Sequence, residues 1–272
     1  MASLPFTKLN ATGNDFVFID ARRTLPTEFS TIHRAELAKK ICDRHFGIGA
    51  DGLVFVEQGS TPELLKWDFY NNDGSHAEMC GNASRCMGRW AAVNLNAKSV
   101  SFETVAGLVT ASTEGNLIAS SLEYLKLSFT ALPFEQGGAR AEAQLVNTGV
   151  PHAVFEVSDL SKRESLANVI KALRFHPLAG KNGTNVTFLQ KHAADSFSTV
   201  TYERGVEDFT LSCGTGVLAA AAVGLLGTGK TRAKVKAPGG ELEVRFGDKQ
   251  GAVLVGPADL IFEGNLREEI AR

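Results

Sequence analysis

The apolar positions of this chain follow two different periods. In "GELEVRF" (Gly240–Phe246), Leu242, Val244 and Phe246 alternate with polar or charged residues and predict a strand with one buried face. Short apolar runs at residues 16–19, 53–56, 153–157 and 186–189 predict further strands. Helical spacing replaces alternation at Ala38, Ile41 and Cys42, and again at Leu166, Ile170 and Leu173, predicting an amphipathic helix at each place. After Cys80, and again after Cys213, comes a mostly uncharged stretch. The second, "GVLAAAAVGLL", is apolar on nearly all sides, so as a helix it must be buried all round. A curled sheet wrapped around a central helix would bury it.

These elements recur in the same order. With an offset of 133, "GLVFVE" (residues 52–57) falls on "NVTFLQ" (residues 185–190), "FYN" (residues 69–71) on "YER" (residues 202–204), and Cys80-Gly81 on Cys213-Gly214. Ala106-Gly107 falls close to Gly239-Gly240, and a slightly larger offset brings "ATGNDFVFI" (residues 11–19) onto "NTGVPHAVF" (residues 147–155). The common order and near-constant spacing indicate a duplicated domain, because the period is far too long for a solenoid. The expected architecture is α+β: two pseudo-symmetric duplicated domains, each a curled, mostly antiparallel sheet or barrel around a central helix. The first half is expected over residues 1–123, with residues 262–272 returning to it, and the second over residues 124–261. The linker is expected near residues 122–132.

Composition narrows the function. The 272 residues suit one large or two moderate domains, and the apolar content of 44% is that of a full core. A formal net charge of -2, with no long run of like charge, argues against a nucleic-acid backbone binder. The opening "MASLPFTKLNATG" has no apolar h-region of a secretory leader. The longest stretch without charge, residues 209–229, is continuously apolar only over residues 217–226, too short to span a bilayer. A cytoplasmic protein is expected. Its four cysteines, Cys42, Cys80, Cys86 and Cys213, form no CxxC and no zinc-like spacing, so no metal is expected. Cys42 and Cys86 read as small buried hydrophobes.

Cys80 and Cys213 read differently. Each stands beside Gly-Asn or Gly-Thr where a helix begins. Free N–H groups and the positive end of the helix dipole favour an anion there and lower a thiol pKa toward neutrality. A duplicated fold usually pairs its halves about a pseudo-two-fold axis, so equivalent residues can face each other across a cleft. Two thiols on opposite faces of one carbon could remove a proton from one side and return one from the other, inverting the centre. The carbon would need an acidifying carboxylate, whose growing charge the paired helix starts are suited to hold. The plainer alternative is two buried helix-cap cysteines left by duplication.

The blocks "ATGNDFVFID", "GIGADG", "NNDGSHAEMCGNASRC", "NTGVPHAVF", "GTNVTFLQ", "YERGVEDFTLSCGTG" and "APGGELEV" resemble the diaminopimelate epimerase family over most of the chain. The combination of "MCGN", "ERG" and "CGTG" is specific; the related proline-racemase group typically has His where this chain has Asn82. The resemblance implies a cofactor-independent epimerase acting on LL-2,6-diaminopimelate, a small-molecule substrate, with no nucleic-acid or membrane partner; a homodimer is left open. It implies that Cys80 and Cys213 are the acid/base thiols, and that Gly81, Asn82, Gly214 and Thr215 hold the carboxylate at the reacting carbon. Asn14, Asn71, Asn185 and Arg204 would read the far end of the substrate, Glu203 would stand beside the reacting centre, and His152 would influence the cysteines' protonation. The chemistry is consistent, since Arg204 offers a fork for a second carboxylate and each asparagine both donates and accepts. The family often has Gln where this chain has Gly52 and Asn where it has Val150, and Ala83 replaces a frequent Gly, so binding details are expected to vary at these positions.

Other motifs fail on context. "GLLGTGKT" (residues 224–231) matches a phosphate-binding loop literally, but an apolar helix precedes it and strands follow, the reverse of the required order. Gly227 and Gly229 read as helix-stop residues instead. An EF-hand reading of "FYNNDG" puts Phe69 at the first ligand position and Cys80 at the closing one. A two-thiol isomerase for a different acid, or a non-catalytic binding protein on the same scaffold, remain as rival readings; retention of both cysteines speaks against the latter.

Overall fold

A computed structural model describes residues 3–122, 125–162, 166–247 and 251–271. The chain divides into two compact units, Met1–Ser121 with Gly256–Arg272, and Leu122–Val255. The first unit contains β1 (Ser3–Ala11), β2 (Asn14–Asp20), α1 (Thr27–Ser30), α2 (Arg34–Cys42), β3 (Gly52–Gln58), β4 (Leu65–Asn71), α3 (Gly81–Asn94), β5 (Ser99–Thr104), β6 (Gly107–Glu114) and β7 (Leu117–Leu122). The second contains β8 (Phe129–Gln136), β9 (Ala139–Asn147), β10 (Pro151–Glu156), α4 (Ala167–Leu173), β11 (Asn185–Ala193), β12 (Ser196–Glu203), the two-residue β13 (Asp208–Phe209), α5 (Gly214–Gly224), β14 (Arg232–Ala237), β15 (Gly240–Phe246) and β16 (Ala252–Gly256). The chain then returns to the first unit as β17 (Asp259–Arg267).

The return begins at Gly256, earlier than the expected residue 262, because β17 pairs antiparallel with β1 from Asp259 opposite Asn10 to Arg267 opposite Ser3. The change of unit falls between Ser121 and Leu122, at the near end of the expected linker. Residues 123 and 124 of that linker lie outside the described residues, and by Phe129 the next strand has begun.

The strand sequence of the first unit is β17-β1-β2-β3-β4-β5-β6-β7, antiparallel at each step except β2–β3 and β4–β5. The second unit repeats it as β8-β9-β10-β11-β12-β14-β15-β16, parallel at β10–β11 and β12–β14. A parallel step needs a crossover, and in each unit one crossover carries an outer helix (α2 or α4) and the other an inner helix (α3 or α5). The inner helices are central. α3 packs on β17, β1 and β2 from one end of its sheet and on β5 and β6 from the other, and α5 packs on β9 through β12 and on β14 and β15. Strands from opposite ends of a sheet can touch one helix only if the sheet curls around it.

Alternation along the strands sorts the two faces. Val17, Ile19, Leu53 and Phe55 pack with Leu37, Ala38, Ile41 and Cys42 of α2. Ala153, Val186, Phe188 and Val200 pack with Val169 and Leu173 of α4. The intervening residues of the same strands therefore face α3 or α5. The alanine-rich α5 suits this position: it is a strong helix former, and every residue but Val223 is buried. Among the described residues no helix is long and apolar enough to cross a membrane.

Hydrogen-bond register fixes the repeat residue by residue. Phe16 opposes Gly52 as His152 opposes Asn185, and Phe102 opposes Val109 as Val235 opposes Leu242. The strand before each cysteine departs from the offset of 133. Tyr70 lies opposite Leu53 and Tyr202 opposite Val186, so Tyr70 corresponds to Tyr202 and Asn71 to Glu203. Setting "FYN" on "YER" is thus one residue out, because the segment between the equivalent pairs is one residue shorter in the second unit, Val186 to Tyr202 against Leu53 to Tyr70. One residue matters, since a slip of one turns every side chain to the other face.

Candidate active site

In the first unit Cys80 is the N-cap of α3, with extended backbone (φ −147°, ψ 119°). The first intrahelical bond runs from Ser84 N–H to the Cys80 carbonyl at 2.9 Å, so the N–H of Gly81 lies ahead of it with no helical acceptor. Cys80 Sγ accepts from Ala83 N–H at 3.5 Å and donates to Asn14 Oδ1 at 3.7 Å. Asn82 Nδ2 donates to the same Asn14 oxygen at 3.1 Å, and Asn14 Nδ2 donates to Asp51 Oδ2 at 2.6 Å. Cys80, Asn14 and Asn82 are therefore brought together, with Gly81 between Cys80 and Asn82 in the chain. Asn71 is bonded elsewhere: its Nδ2 donates to Ser75 Oγ at 2.9 Å, within the turn that follows β4.

Two residues of this half were not anticipated from sequence. Arg85 is fully buried, and burial pulls its guanidinium down to about 10. It donates to Asn82 Oδ1 (2.8 Å), Gly81 O (3.0 Å), Thr12 Oγ1 (3.1 Å) and Pro257 O (3.4 Å). Among the described residues no carboxylate pairs with it. Asp51 takes Asn14 on one oxygen and Arg44 (2.8 Å) on the other, and Arg44 also reaches Asp15, which pairs with Lys8. Burial opposes the charge of Asp15, but Arg44 and Lys8 hold its carboxyl below the usual range. The signal for Arg85 was its charge in a helix whose only other charged residue is Arg89.

In the second unit Cys213 caps α5 (φ −106°, ψ 106°), and Val217 N–H bonds its carbonyl at 2.9 Å, leaving the N–H groups of Gly214 and Thr215 ahead of the first helical bond. Its Sγ lies 3.4 Å from Thr215 Oγ1. Thr215 Oγ1 in turn lies 2.9 Å from His152 Nε2, and His152 Nδ1 lies 2.8 Å from Thr187 Oγ1. Asn185 Oδ1 accepts the Arg204 backbone N–H at 2.8 Å, which turns its Nδ2 toward His152 Nε2 (3.3 Å) and Pro151 O (3.3 Å). Nε2 is then an acceptor, so the ring proton sits on Nδ1 and is given to Thr187. His152 is fully buried, and burial, with Arg204 adding to it, presses its pKa down to about 3, so the ring is neutral.

Structure thus joins Cys213, Thr215, His152, Asn185 and Arg204 through hydrogen bonds. The guanidinium of Arg204 reaches the Gly183 carbonyl at 3.3 Å, and among the described residues no carboxylate pairs with it. Glu203 accepts from Thr210 Oγ1. Thr187 and Thr201, 3.1 Å apart through their hydroxyls, complete a polar bed beneath α5 and were missed in the sequence. Their signal was the alternation itself, which puts each on the face opposite Val186, Phe188 and Val200. Gly216 follows from the same crowding: a Cβ there would stand 2.3 Å from Thr201 Oγ1 and 3.3 Å from His152 Cε1. At Gly52 a Cβ would meet the Phe69 ring at 2.5 Å, so the longer side chain common in the family cannot be accommodated with Phe69 where it is. The remaining cysteines are buried, and burial pushes the Cys42 thiol up to about 12 and Cys86 higher still.

Two units of one topology, each with a cysteine at the start of its central helix, define a duplicated α+β fold with a helix-capping thiol in each half. The solved structures similar to it include a phenazine biosynthesis protein of the PhzF family from Bacillus anthracis (TM-score 0.72, 14% identity, 98% of this chain and 100% of that one). Another is a hydroxyproline epimerase from Agrobacterium vitis (TM-score 0.69, 15% identity, 98% and 91%). At sequence level, a family model described as diaminopimelate epimerase matches residues 6–120 and 144–261. A diaminopimelate epimerase from Aquifex aeolicus is 39% identical over 98% of this chain and 99% of its own. The chain belongs to the diaminopimelate epimerase family.

Proposed function

We infer that this chain converts LL-2,6-diaminopimelate to the meso form by removing and returning a proton at one α-carbon. The observation that carries the reading is the equivalence of Cys80 and Cys213, each the N-cap of its unit's central helix, in a chain of this family. One thiolate takes the α-proton while the other thiol delivers a proton to the opposite face. Gly81, Asn82, Gly214 and Thr215, at the two helix starts, hold the carboxylate beside the reacting carbon, where charge develops. Asn14, Asn71, Asn185 and Arg204 recognise the far amino and carboxylate groups. The half-buried Arg204 guanidinium, bonded to a carbonyl but to no described carboxylate, suits the second carboxylate. Glu203 borders the reacting centre, and His152, neutral and linked to Cys213 through Thr215, tunes its proton. The carboxylate itself acidifies the carbon, so no cofactor is required, and the enzyme works in the cytoplasm on a free small molecule.

The test is turnover in deuterated water. LL-2,6-diaminopimelate should acquire one α-deuterium with inversion, and Cys80→Ala and Cys213→Ala should each abolish net epimerisation. Absence of α-deuterium in the wild type overturns the reaction. Equal turnover of alanine or proline overturns the specificity, since a monocarboxylic acid leaves Arg204 without its partner.

A further inference from the structure

The Cys80 half holds a chain of hydrogen bonds that runs in one direction only. It begins at Arg85, which can donate but not accept, and ends at the Asp51 carboxylate, which at neutral pH can accept but not donate. Arg85 takes Asn82 Oδ1 at 2.8 Å, so Asn82 must turn its Nδ2 toward Asn14. Asn14 accepts on Oδ1 at 3.1 Å and must turn its own Nδ2 to Asp51 at 2.6 Å. Neither amide can flip without setting donor against donor at one end or acceptor against acceptor at the other. The Asn14 oxygen is therefore held toward Cys80 Sγ, 3.7 Å away.

We propose that Arg85 and Asp51 are positioning residues that lock the Asn14 amide with its oxygen facing Cys80, so that Cys80 rests as the thiol in the substrate-free enzyme. The proposal rests on the reading of Cys80 as an acid/base group. A thiol satisfies this geometry completely, its hydrogen going to Asn14 and its lone pair accepting from Ala83 N–H at 3.5 Å. A thiolate would face a carbonyl oxygen that cannot turn away. The helix start, and the Arg85 cation behind it, work in the opposite sense and keep the thiol within reach of deprotonation. Charged or titratable groups on the elements that carry the lock include Cys86 and Arg89 on α3, Lys8 on β1, Asp15 and Asp20 on β2, and Arg44 beside Asp51 between α2 and β3. Lys8, Asp15, Arg44 and Asp51 are joined in one paired cluster.

Alkylation tests this without depending on catalysis. The rate at which iodoacetamide modifies Cys80, read by peptide mass mapping across pH, follows its thiolate fraction. Arg85→Gln together with Asp51→Asn makes both ends of the chain able to donate or accept at no change in net charge, which frees Asn82 and Asn14 to turn together and bring the Asn14 Nδ2 toward the sulfur. The half-maximal pH for Cys80 should fall by about one unit, roughly a tenfold faster reaction near neutrality, the size of one hydrogen bond. Arg85→Lys, still donor only, should leave the profile in place, and Cys213 should be unmoved by either change. An unchanged or raised half-maximal pH for Cys80 in the double variant, or an equal shift at Cys213, overturns the proposal. A second measurement needs no change to the lock. The infrared S–H stretching band of the substrate-free wild type at neutral pH should contain a component that disappears in Cys80→Ala, and its absence overturns the proposal equally.

Discussion

His152 and Phe16 occupy the same position in the two halves of the chain. Each is paired in parallel register with the first residue of the next strand, Asn185 or Gly52, and each faces its central helix. Around them Thr187 and Thr201 correspond to Val54 and Phe69, and Thr215 to Asn82. One scaffold has thus given Cys213 a bed of a neutral imidazole and hydroxyls, and Cys80 an aromatic bed in which Phe16 and Phe69 meet edge to face at 5.8 Å.

The buried imidazole makes the second half acid-sensitive. His152 is held at about 3 in the fold against an ordinary value of 6.5. Between those values the unfolded chain binds the proton and the folded chain does not, so this contribution is intact above about 6.5 and is lost as pH falls toward about 3, at up to about 1.4 kcal/mol per pH unit. His152→Gln cannot titrate. In urea unfolding, the stability advantage of wild type over His152→Gln should shrink by roughly 1–2 kcal/mol between pH 7 and pH 5. A constant gap across that range would show that the ring is protonated in the fold.

Thr215 carries the only hydroxyl recorded between His152 Nε2 and Cys213 Sγ among the described residues. Thr215→Val keeps the shape and the backbone N–H but removes that link. The expected loss is about 1–3 kcal/mol of hydrogen bonding, seen as a fall in kcat of roughly tenfold or more, with KM little changed. Thr215→Ser should restore most of it. Steady-state kinetics of the two variants in both reaction directions make the check.

Gly216 and Ala83 are equivalent positions under opposite constraints. Gly216→Ala puts a methyl group 2.3 Å from Thr201 Oγ1 and 3.2 Å from Cys213 Cβ, so it should cost about 1–3 kcal/mol of stability by overpacking and displace the thiol. Ala83→Gly meets no clash and should cost about 1 kcal/mol by helix propensity. Thermal melts and kcat should separate the two, with activity falling far more in Gly216→Ala.

Much of this was legible in the sequence, for identifiable reasons. The duplication shows because a cysteine, a glycine and an apolar helix recur in order, and the central position of α5 follows from a helix apolar all round. The register of the strand before each cysteine did not show, because a one-residue difference in a hairpin leaves no mark in a pattern of period two. The beds beneath the cysteines did not show either. His152, Thr187 and Thr201 come from three strands and become neighbours only through pairing. Arg85 and Asp51 reach Cys80 through two asparagine amides, a connection that exists only in three dimensions.

The last strand is as necessary as the first. β17 pairs along nearly the whole length of β1, and Leu266 and Leu4 share one core with α2. A chain ending at Ala258 should keep amide protection in residues 125–255 and lose it in β1 and β2. Hydrogen exchange read by mass spectrometry decides it, and retained protection in β1 would show that β17 is dispensable.

That arrangement also sets a timetable for synthesis. β8, the counterpart of β17, directly precedes the strand it pairs with, so the second half can close as soon as its own continuous segment has left the ribosome. The first half cannot. Its opening strand emerges early and waits for a partner made after the whole second half, a delay on the order of ten seconds or more at ordinary rates of translation. For that time β1 presents an unpaired edge, open to any passing strand. The half of the protein made first is the half finished last, and its safe completion depends on how well the cell shields one exposed edge until the other end of the chain arrives.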